Sequence, residues 1–532
     1  MDLDRRICDR ARRSRDARFD GRFFIGVTTT GIYCRPICPA RSPKDENVIY
    51  FPTAAAAEAA GFRPCLRCRP EASPGTPAWV GTSGVVSRAL RLIGEGALRG
   101  TSGPDADNAR TADAGVDDLA GRVGVTARHL RRLFLQHLGA TPIEVALTRR
   151  IHFAKRLLDE TSLPVQQVAF ASGFGSVRRF NGQILRTFSR TPTELRRLHR
   201  RVAEAPGWYR FTLAYRPPYD WPSMLAFLGA RATAGVESIA GAHYRRTIEI
   251  DGRTGTIDVA PSDSKPALVL DVSFPEPGSL LTIVERVRRM FDLSADPAVI
   301  GDHLAADRML QRAMDANPGV RVPGAWDGFE LAVRAILGQQ VSVQGARTIA
   351  GRLAAEFGAP VETDRGVERL FPAAERLADA RLECAGVMPA RAETIRRLAR
   401  AAADGHLKLS PGADSAAVVE ALMALPGVGP WTASYVAMRA LGEPDAFPAG
   451  DLVLRRAAGN LTTRELERRS EAWRPWRAYA VMLLWRTASR ESATPSRGRH
   501  AVSTEQIDRR RLRGRGAGGR GAGAARRVQR AG

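Results

Sequence analysis

Four cysteines constrain this chain more than any other feature: Cys34 and Cys38 in TTGIYCRPICPARS, Cys65 and Cys68 in GFRPCLRCRP. C-x3-C followed by C-x2-C supplies four soft thiolates at two short-spaced corners. That donor set suits one tetrahedral Zn²⁺ rather than a hard, oxygen-seeking cation. Disulfides are the poorer reading, because nothing else points to an oxidising compartment. The opening MDLDRRICDRARR lacks the apolar stretch of a secretory signal, and no run of about 18 apolar residues offers a membrane span. The expectation is therefore a cytoplasmic, zinc-binding protein. Cys8 and Cys384 lack partners at ligand spacing and are expected to pack as small apolar side chains.

With 532 residues the chain is too long for one core. Its net charge of +24 makes a polyanion the first partner to consider, although charge alone does not separate nucleic acid from an anionic membrane. Residues 70–84 (PEASPGTPAWVGTSG) read as a linker, and residues 99–115 as a solvated loop. Helical patterning runs from Val116 to Leu198. From Trp208 the segments TIEI, TIDV and ALVLDVSF suggest strands, and helical periodicity resumes from Leu280 to Ser489. Past Ser496, Gly, Ala and Arg dominate. Such a composition builds no core, leaving a basic nucleic-acid arm or a merely solvated tail.

A purely structural zinc knuckle is the simplest reading of the cysteines. Five arginines, Arg35, Arg41, Arg63, Arg67 and Arg69, argue for more, since they give the thiolates a cationic rim fit for a DNA phosphate. With FDGRFF, TTGIYCRP, ENV and AGFRPCLRC, residues 1–75 resemble the N-terminal domain of Ada-type alkylation-response proteins. The resemblance implies that the thiolate of Cys34 accepts a methyl group from a DNA methylphosphotriester, and that Thr30, Arg41, Arg63 and Arg67 contact phosphate. The chemistry is coherent: the thiolate is the nucleophile, and zinc keeps it deprotonated.

VDDLAGRVGVTARHLRRLFLQHLG contains a helix, a turn at Gly124 and a second helix from Thr126 bearing Arg128, His129, Arg131 and Arg132. Leu119, Val123, Val125, Leu130, Leu133 and Phe134 suit one small core. The pattern recurs in VQQVAFASGFGSVRRFNGQILRTFSRTPTELRR, with a turn at Gly173–Phe174 and a helix from Ser176. Two such units joined by a helix from Pro142 to Leu158 resemble the AraC-type DNA-binding domain. The resemblance implies two recognition helices in successive major grooves. Arg178 and Arg179 on the second then read bases or, as is commoner, hold phosphates.

ALPGVGPWTASYVAMRAL places a tight L-P-G-V-G turn between two helices, where Gly427 and Gly429 let backbone N–H groups converge on a DNA phosphate. Asp451 follows in AFPAGDLVLRR. With FELAVRAILGQQVSVQGA upstream and WRPWRAYAVMLLW downstream, residues 210–490 resemble the helix-hairpin-helix DNA glycosylases, most closely the AlkA type, 3-methyladenine DNA glycosylase II. The resemblance implies catalysis by Asp451 and a pocket containing Gln339, Trp431, Tyr435 and Trp485. Asp451 alone also suits a helix N-cap, and core packing competes for each aromatic. Trp431 stands where strand-cleaving members carry a Schiff-base lysine, so a monofunctional glycosylase is expected. No C-terminal cysteine cluster suggests an iron–sulfur centre.

The expected architecture is multidomain α+β. A small zinc-bound α/β domain (1–75) precedes an all-α double helix-turn-helix domain (85–200). A small α/β domain with a mixed sheet (206–290), an all-α helix-hairpin-helix domain (291–495) and a basic disordered tail (496–532) follow. The whole resembles fusions of an Ada-type sensor, an AraC-type regulator and an AlkA-type glycosylase, without the Pro-Cys-His-Arg site needed for O6-methylguanine repair. Double-stranded DNA and RNA polymerase are the expected partners, and the expected state is a nucleoid-associated monomer. Two rivals remain: a zinc-dependent transcription factor whose C-terminal half only clamps DNA, and a glycosylase whose zinc is purely structural.

Overall fold

The computed structural model describes residues 4–74, 84–98, 109–198, 207–363 and 365–493. The expectations for residues 75–83, 99–108 and 496–532 lie outside the described residues.

Helix α1 (Arg5–Ser14) leads into a four-stranded sheet of order β3-β1-β2-β4, comprising β1 (Phe24–Val27), β2 (Ile32–Cys34), β3 (Val48–Phe51) and β4 (Arg63–Pro64). Strands β1–β2 and β1–β3 pair antiparallel, whereas β2–β4 is parallel with Tyr33 opposite Pro64. That one short parallel contact brings Cys34 beside Cys65, with the Cys65 N–H donating to the Tyr33 carbonyl at 3.0 Å. Phe23, Ile25 and Val48 pack on Cys8 and Ala11 of α1. Phe24 and Tyr33 pack on Ala57 of α2 (Ala54–Ala59). Cys8 is thus buried as expected, but Cys384 is exposed, in a short 3-10 turn whose core-facing positions are taken by Leu382 and Ala385.

The helical part comprises α3 (Gly84–Gly94), α4 (Ala109–Arg122), α5 (Ala127–Leu138), α6 (Pro142–Glu160), α7 (Val165–Ala171), α8 (Val177–Phe188) and α9 (Pro192–Arg197). Helix α4 begins at Ala109, inside the segment read as loop: its small and charged residues have acceptable helix propensity and extend the amphipathic run that follows. Gly124 (φ 77°) and Gly173 (φ 83°) make the two turns, where a left-handed residue is required. Each basic helix is followed by a reciprocal capping box, Thr141 with Glu144 and Thr191 with Glu194, so the two helix-turn-helix units start their next helices identically. The expected linker also begins later than Pro70. Pro70–Ala72 form a 3-10 turn, and Glu71 is buried beside Lys155 of α6 because it supplies counter-charge there.

A five-stranded sheet of order β5-β9-β8-β7-β6 follows, from β5 (Trp208–Ala214), β6 (Glu237–Ala240), β7 (His243–Ile250), β8 (Arg253–Pro261) and β9 (Ala267–Ser273). Every pairing is antiparallel, correcting the mixed sheet expected. The reason is local: β6 to β9 are joined by short turns, such as Asp251–Gly252 with both residues at positive φ, and short turns reverse the chain. Helix α10 (Trp221–Arg231) connects β5 to the far edge, and α11 (Leu280–Met290) closes one face of the sheet.

The rest is helical: α12 (Pro297–Leu304), α13 (Arg308–Ala316), α14 (Gly328–Leu337), α15 (Val343–Phe357), α16 (Ala374–Leu377), α17 (Pro389–Ala403), α18 (Ser415–Met423), α19 (Pro430–Arg439), α20 (Leu452–Ala457), α21 (Thr463–Ser470) and α22 (Arg477–Ala493). Leu331, Val333, Ile336, Ile395, Leu398, Val436 and Val481 belong to its single core, which fixes α14, α17 and α19 around the 425–429 hairpin. No helix among the described residues is long and apolar enough to cross a membrane.

Candidate metal centre and candidate active site

The sulfurs of Cys34, Cys38, Cys65 and Cys68 all lie within 4.8 Å of one another. Tetrahedral zinc with Zn–S near 2.3 Å needs sulfurs about 3.8 Å apart, so the cradle fits the ion. Hydrogen bonding among the four thiols draws Cys38 down to about 7 and Cys65 below the usual thiol range, and pushes Cys34 and Cys68 above it. Four sulfurs this close repel one another once ionised, and a bound cation offsets that repulsion. The backbone N–H of Arg35 donates to the Cys68 sulfur at 3.3 Å, a fixed second layer behind the ligands.

The cationic rim is smaller than the sequence suggests. Arg35 is buried, with Nε on Asp20 at 2.8 Å and Nη1 on the Cys68 carbonyl at 3.0 Å. Arg69 is held by Glu71 (3.2 Å), Asp159 (2.9 Å) and Glu160 (3.3 Å). Both are structural, because Asp20 claims Arg35 and carboxylates of α6 claim Arg69. Arg41, Arg63, Arg67 and Thr30 are exposed, and Arg63 donates to the Ser189 hydroxyl at the end of α8 at 2.6 Å. Arg128 on α5 and Arg178 and Arg179 on α8 are likewise exposed.

A buried polar bridge ties the cysteine centre to α6. Tyr33, next to Cys34, donates to Glu58 at 2.8 Å and lies 3.0 Å from His152 Nε2, while Thr148 donates to the other Glu58 oxygen at 2.7 Å. Nothing in the spacing of these residues announces that contact.

In the C-terminal half, Gly427 sits at φ 92°, and a Cβ there would lie 2.2 Å from Thr394 Oγ1. Gly429 is the N-cap of α19 with open space around its Cα, leaving room for a phosphate at the helix N-terminus. Gln339 Nε2 donates to the Gly427 carbonyl and to Thr432 Oγ1, both at 3.0 Å. Gln339 therefore braces the hairpin through its amide nitrogen.

Asp451 caps α20 through the Leu454 N–H at 2.9 Å, so the capping alternative is real. It is also gripped by two indoles: Trp431 Nε1 donates to Oδ2 at 2.8 Å and Trp485 Nε1 to Oδ1 at 3.2 Å. Trp431 stacks on Tyr435 (centroids 5.3 Å apart, planes 10° apart), and Tyr435 meets Trp485 at 6.3 Å. A carboxylate and three aromatics thus share one cluster.

Four families match in succession: Metal binding domain of Ada over residues 7–71, Helix-turn-helix domain over 119–198, AlkA N-terminal domain over 210–327, and HhH-GPD superfamily base excision DNA repair protein over 333–476. The chain is 44% identical over 492 residues, 90% of its length and 96% of the relative's, to the Probable bifunctional transcriptional activator/DNA repair enzyme AlkA of Mycobacterium tuberculosis (strain ATCC 25618 / H37Rv). It belongs to the Ada–AlkA family of bifunctional activator/repair enzymes. It is also 34% identical to the DNA-3-methyladenine glycosylase 2 of Escherichia coli (strain K12), covering 52% of this chain and 97% of that one. To the Bifunctional transcriptional activator/DNA repair enzyme AdaA of Bacillus subtilis (strain 168) it is 31% identical, over 34% of this chain and 78% of that one.

As an Ada–AlkA member the chain holds one zinc on its four cysteines, binds DNA through its helix-turn-helix domain, and carries a DNA glycosylase domain. Sequence reasoning missed Phe227, which α10 delivers from the α/β domain to stack on Trp485 at 6.4 Å. Arg231 and Arg439 lie 3.8 and 4.9 Å from its ring centre. Arg439 also donates to the Tyr435 hydroxyl at 2.6 Å; burial pushes that phenol up, but Arg439 and Arg231 bring it below its ordinary value. Phe227 in MLAFLGAR reads as one more apolar helix residue, so only the packing reveals it.

Proposed function

We propose that the glycosylase half hydrolyses the N-glycosidic bond of alkylated bases such as 3-methyladenine as a monofunctional enzyme, with Asp451 as the catalytic carboxylate. The carboxylate held between two indole N–H donors carries this assignment: a helix cap alone needs one backbone partner, not Trp431 and Trp485 as well. The flipped base enters beside Trp431, Tyr435, Trp485 and Phe227, where a cationic ring gains stacking and cation–π attraction. The C1′–N bond breaks with its electrons leaving on the base, which becomes neutral. Asp451 faces the developing sugar cation and orients the water that adds to C1′. Trp431 in place of a hairpin lysine supports hydrolysis without strand cleavage. The hairpin glycines Gly427 and Gly429 hold the DNA backbone.

At the other end, Cys34 is the methyl acceptor. Its sulfur attacks the methyl carbon of a phosphotriester, the C–O bond breaks, and a phosphodiester anion leaves. Zinc on Cys34, Cys38, Cys65 and Cys68 supplies the means of keeping that sulfur a thiolate at neutral pH. Thr30, Arg41, Arg63 and Arg67 hold the phosphate, and Arg128, Arg178 and Arg179 engage the grooves of promoter DNA. The functional division is 1–75 methyl acceptor, 85–200 regulator, 206–290 and 291–495 glycosylase, with a basic arm at 496–532. The protein acts as a nucleoid-associated monomer that recruits RNA polymerase.

Two measurements test this. Intact-mass and peptide analysis after exposure to methylated DNA should find one methyl on Cys34; none there would make the zinc structural. Methylated DNA should yield abasic sites with the parent chain and not with Asp451→Asn; equal yields would leave the C-terminal half a DNA clamp.

A further inference from the structure

Where the regulator and repair halves meet, a cavity of about 330 Å³ opens between α6 and α11. Phe153 of α6 and Leu281 and Val284 of α11 supply apolar wall, and six guanidiniums, Arg149, Arg156 and Arg288 among them, share it with four carboxylates, Glu71, Glu285, Asp292 and Glu443, so the lining carries an excess of positive charge. Their charges are poorly matched. Glu285 is taken by Arg149 at 2.9 Å, and Glu160 is shared by Arg156 at 3.3 Å with Arg69. Arg288 hydrogen-bonds neutral acceptors: the carbonyls of Pro74 and Ala214 and the Ser294 hydroxyl. Burial draws Arg288 down to about 10 against the pull of Glu285, and Arg156 and Arg149 add to the fall by repulsion. Arg156 is 8% exposed, and its Nε is buried with no hydrogen-bond partner among the described residues.

Burying more cations than carboxylates is costly, and an orphaned guanidinium nitrogen adds the desolvation of a donor. A negatively charged ligand in the cavity relieves both, and the apolar wall asks for a compact apolar body on the same molecule. We propose that this junction cavity is a binding site for a small organic phosphate, whose phosphoryl oxygens accept from Arg156 and Arg288 while its apolar part lies on Phe153, Leu281 and Val284. Both α6 and α11 contribute, so the bound ligand clamps the regulator half to the repair half. The zinc ligands and Asp451 are not part of the site, although Arg439 lines both the cavity and the aromatic cluster beside Asp451.

Phenyl phosphate is the probe, titrated calorimetrically into the zinc-loaded full chain, with inorganic phosphate in a parallel arm. Phenyl phosphate is expected to bind with one site per chain, and inorganic phosphate at least several-fold more weakly for want of the apolar contact. Arg156→Leu should weaken phenyl phosphate about tenfold, the loss of a charge-assisted hydrogen bond. Glu285→Gln should bind it several-fold more tightly, because it frees Arg149 and removes a competing carboxylate; misfolding cannot mimic that gain. Arg400→Gln, the same charge change at an exposed position of α17, should leave the affinity at the parent value. No saturable binding, or equal weakening by Arg400→Gln and Arg156→Leu, would overturn the site in favour of diffuse surface charge. Parent affinity in Glu285→Gln would likewise overturn it. Equal affinity for inorganic phosphate would overturn the organic-ligand assignment.

Discussion

Asp451 has two jobs that one substitution separates. Asn caps helices about as well as Asp, so Asp451→Asn should keep the Leu454 N–H satisfied and unfold at the parent temperature. It removes the charge facing the sugar cation, and release of 3-methyladenine should fall by about 10²–10³. A variant that loses stability in parallel with activity would return Asp451 to a capping role. Asp292 offers a second residue-scale test, of pH dependence. Burial, against the pull of Arg321, the Val322 N–H and Tyr479, pushes its carboxyl up to about 6. Below about pH 4 both folded and unfolded states hold the proton. Between about 4 and 6 only the unfolded chain ionises, so stability falls as pH rises, by up to about 3 kcal/mol, and then levels. Asp292→Asn should flatten that fall in thermal melts taken across the interval. Little of this is visible residue by residue in the sequence: Asp292 is one of many acids, and only its burial beside Tyr479 singles it out.

At the scale of elements, the hairpin and the β2–β4 contact are the sensitive joints. Gly427→Ala forces a Cβ onto Thr394 at a left-handed φ, and should destabilise the chain by about 1–3 kcal/mol and weaken DNA binding with it. Gly429→Ala meets open space at an ordinary φ, so it should fold like the parent and lose only DNA affinity. Identical melting losses in the two variants would mean that Gly429 is there for the turn and not for the phosphate. Cys65→Ser removes a ligand from the strand pair that carries Cys34; elemental analysis should find zinc lost and residues 1–75 unfolded. Helices were the most legible elements, since α5, α8 and α19 follow from apolar spacing and flanking glycines. The early start of α4 and the all-antiparallel sheet were not, because a weakly apolar helix end and strand partnership leave little local signal.

At the scale of the whole molecule, the zinc centre and the helix-turn-helix units are expected to communicate through charge and through packing. Four thiolates on Zn²⁺ carry a net charge near −2, and methylating Cys34 removes one unit close to DNA. Two unit charges about 6 Å apart at an effective dielectric near 20 interact by about 3 kcal/mol before screening. Methylated protein should therefore bind its promoter more tightly, and more so at low salt; coincident isotherms at low salt would count against the switch. The Tyr33–Glu58–His152 bridge gives the centre a rigid footing on α6, the helix between the two recognition units.

What the sequence determined by itself was whatever lies within one turn or one helix: the cysteine pairs, the two helix-turn-helix units, and the glycine hairpin with its downstream aspartate. Backbone geometry turns such short spacings directly into positions in space. Tertiary structure alone decided which arginines stay available to DNA, since Arg35 is claimed by Asp20 and Arg69 by Asp159 and Glu160 of α6. It also decided that Gln339 braces the hairpin, that Phe227 completes the aromatic cluster, and that Trp431 and Trp485 aim their N–H groups at one carboxylate. A residue's charge or aromaticity is written in the chain. Which partner satisfies it depends on segments up to hundreds of residues away, and only the packed core brings those together.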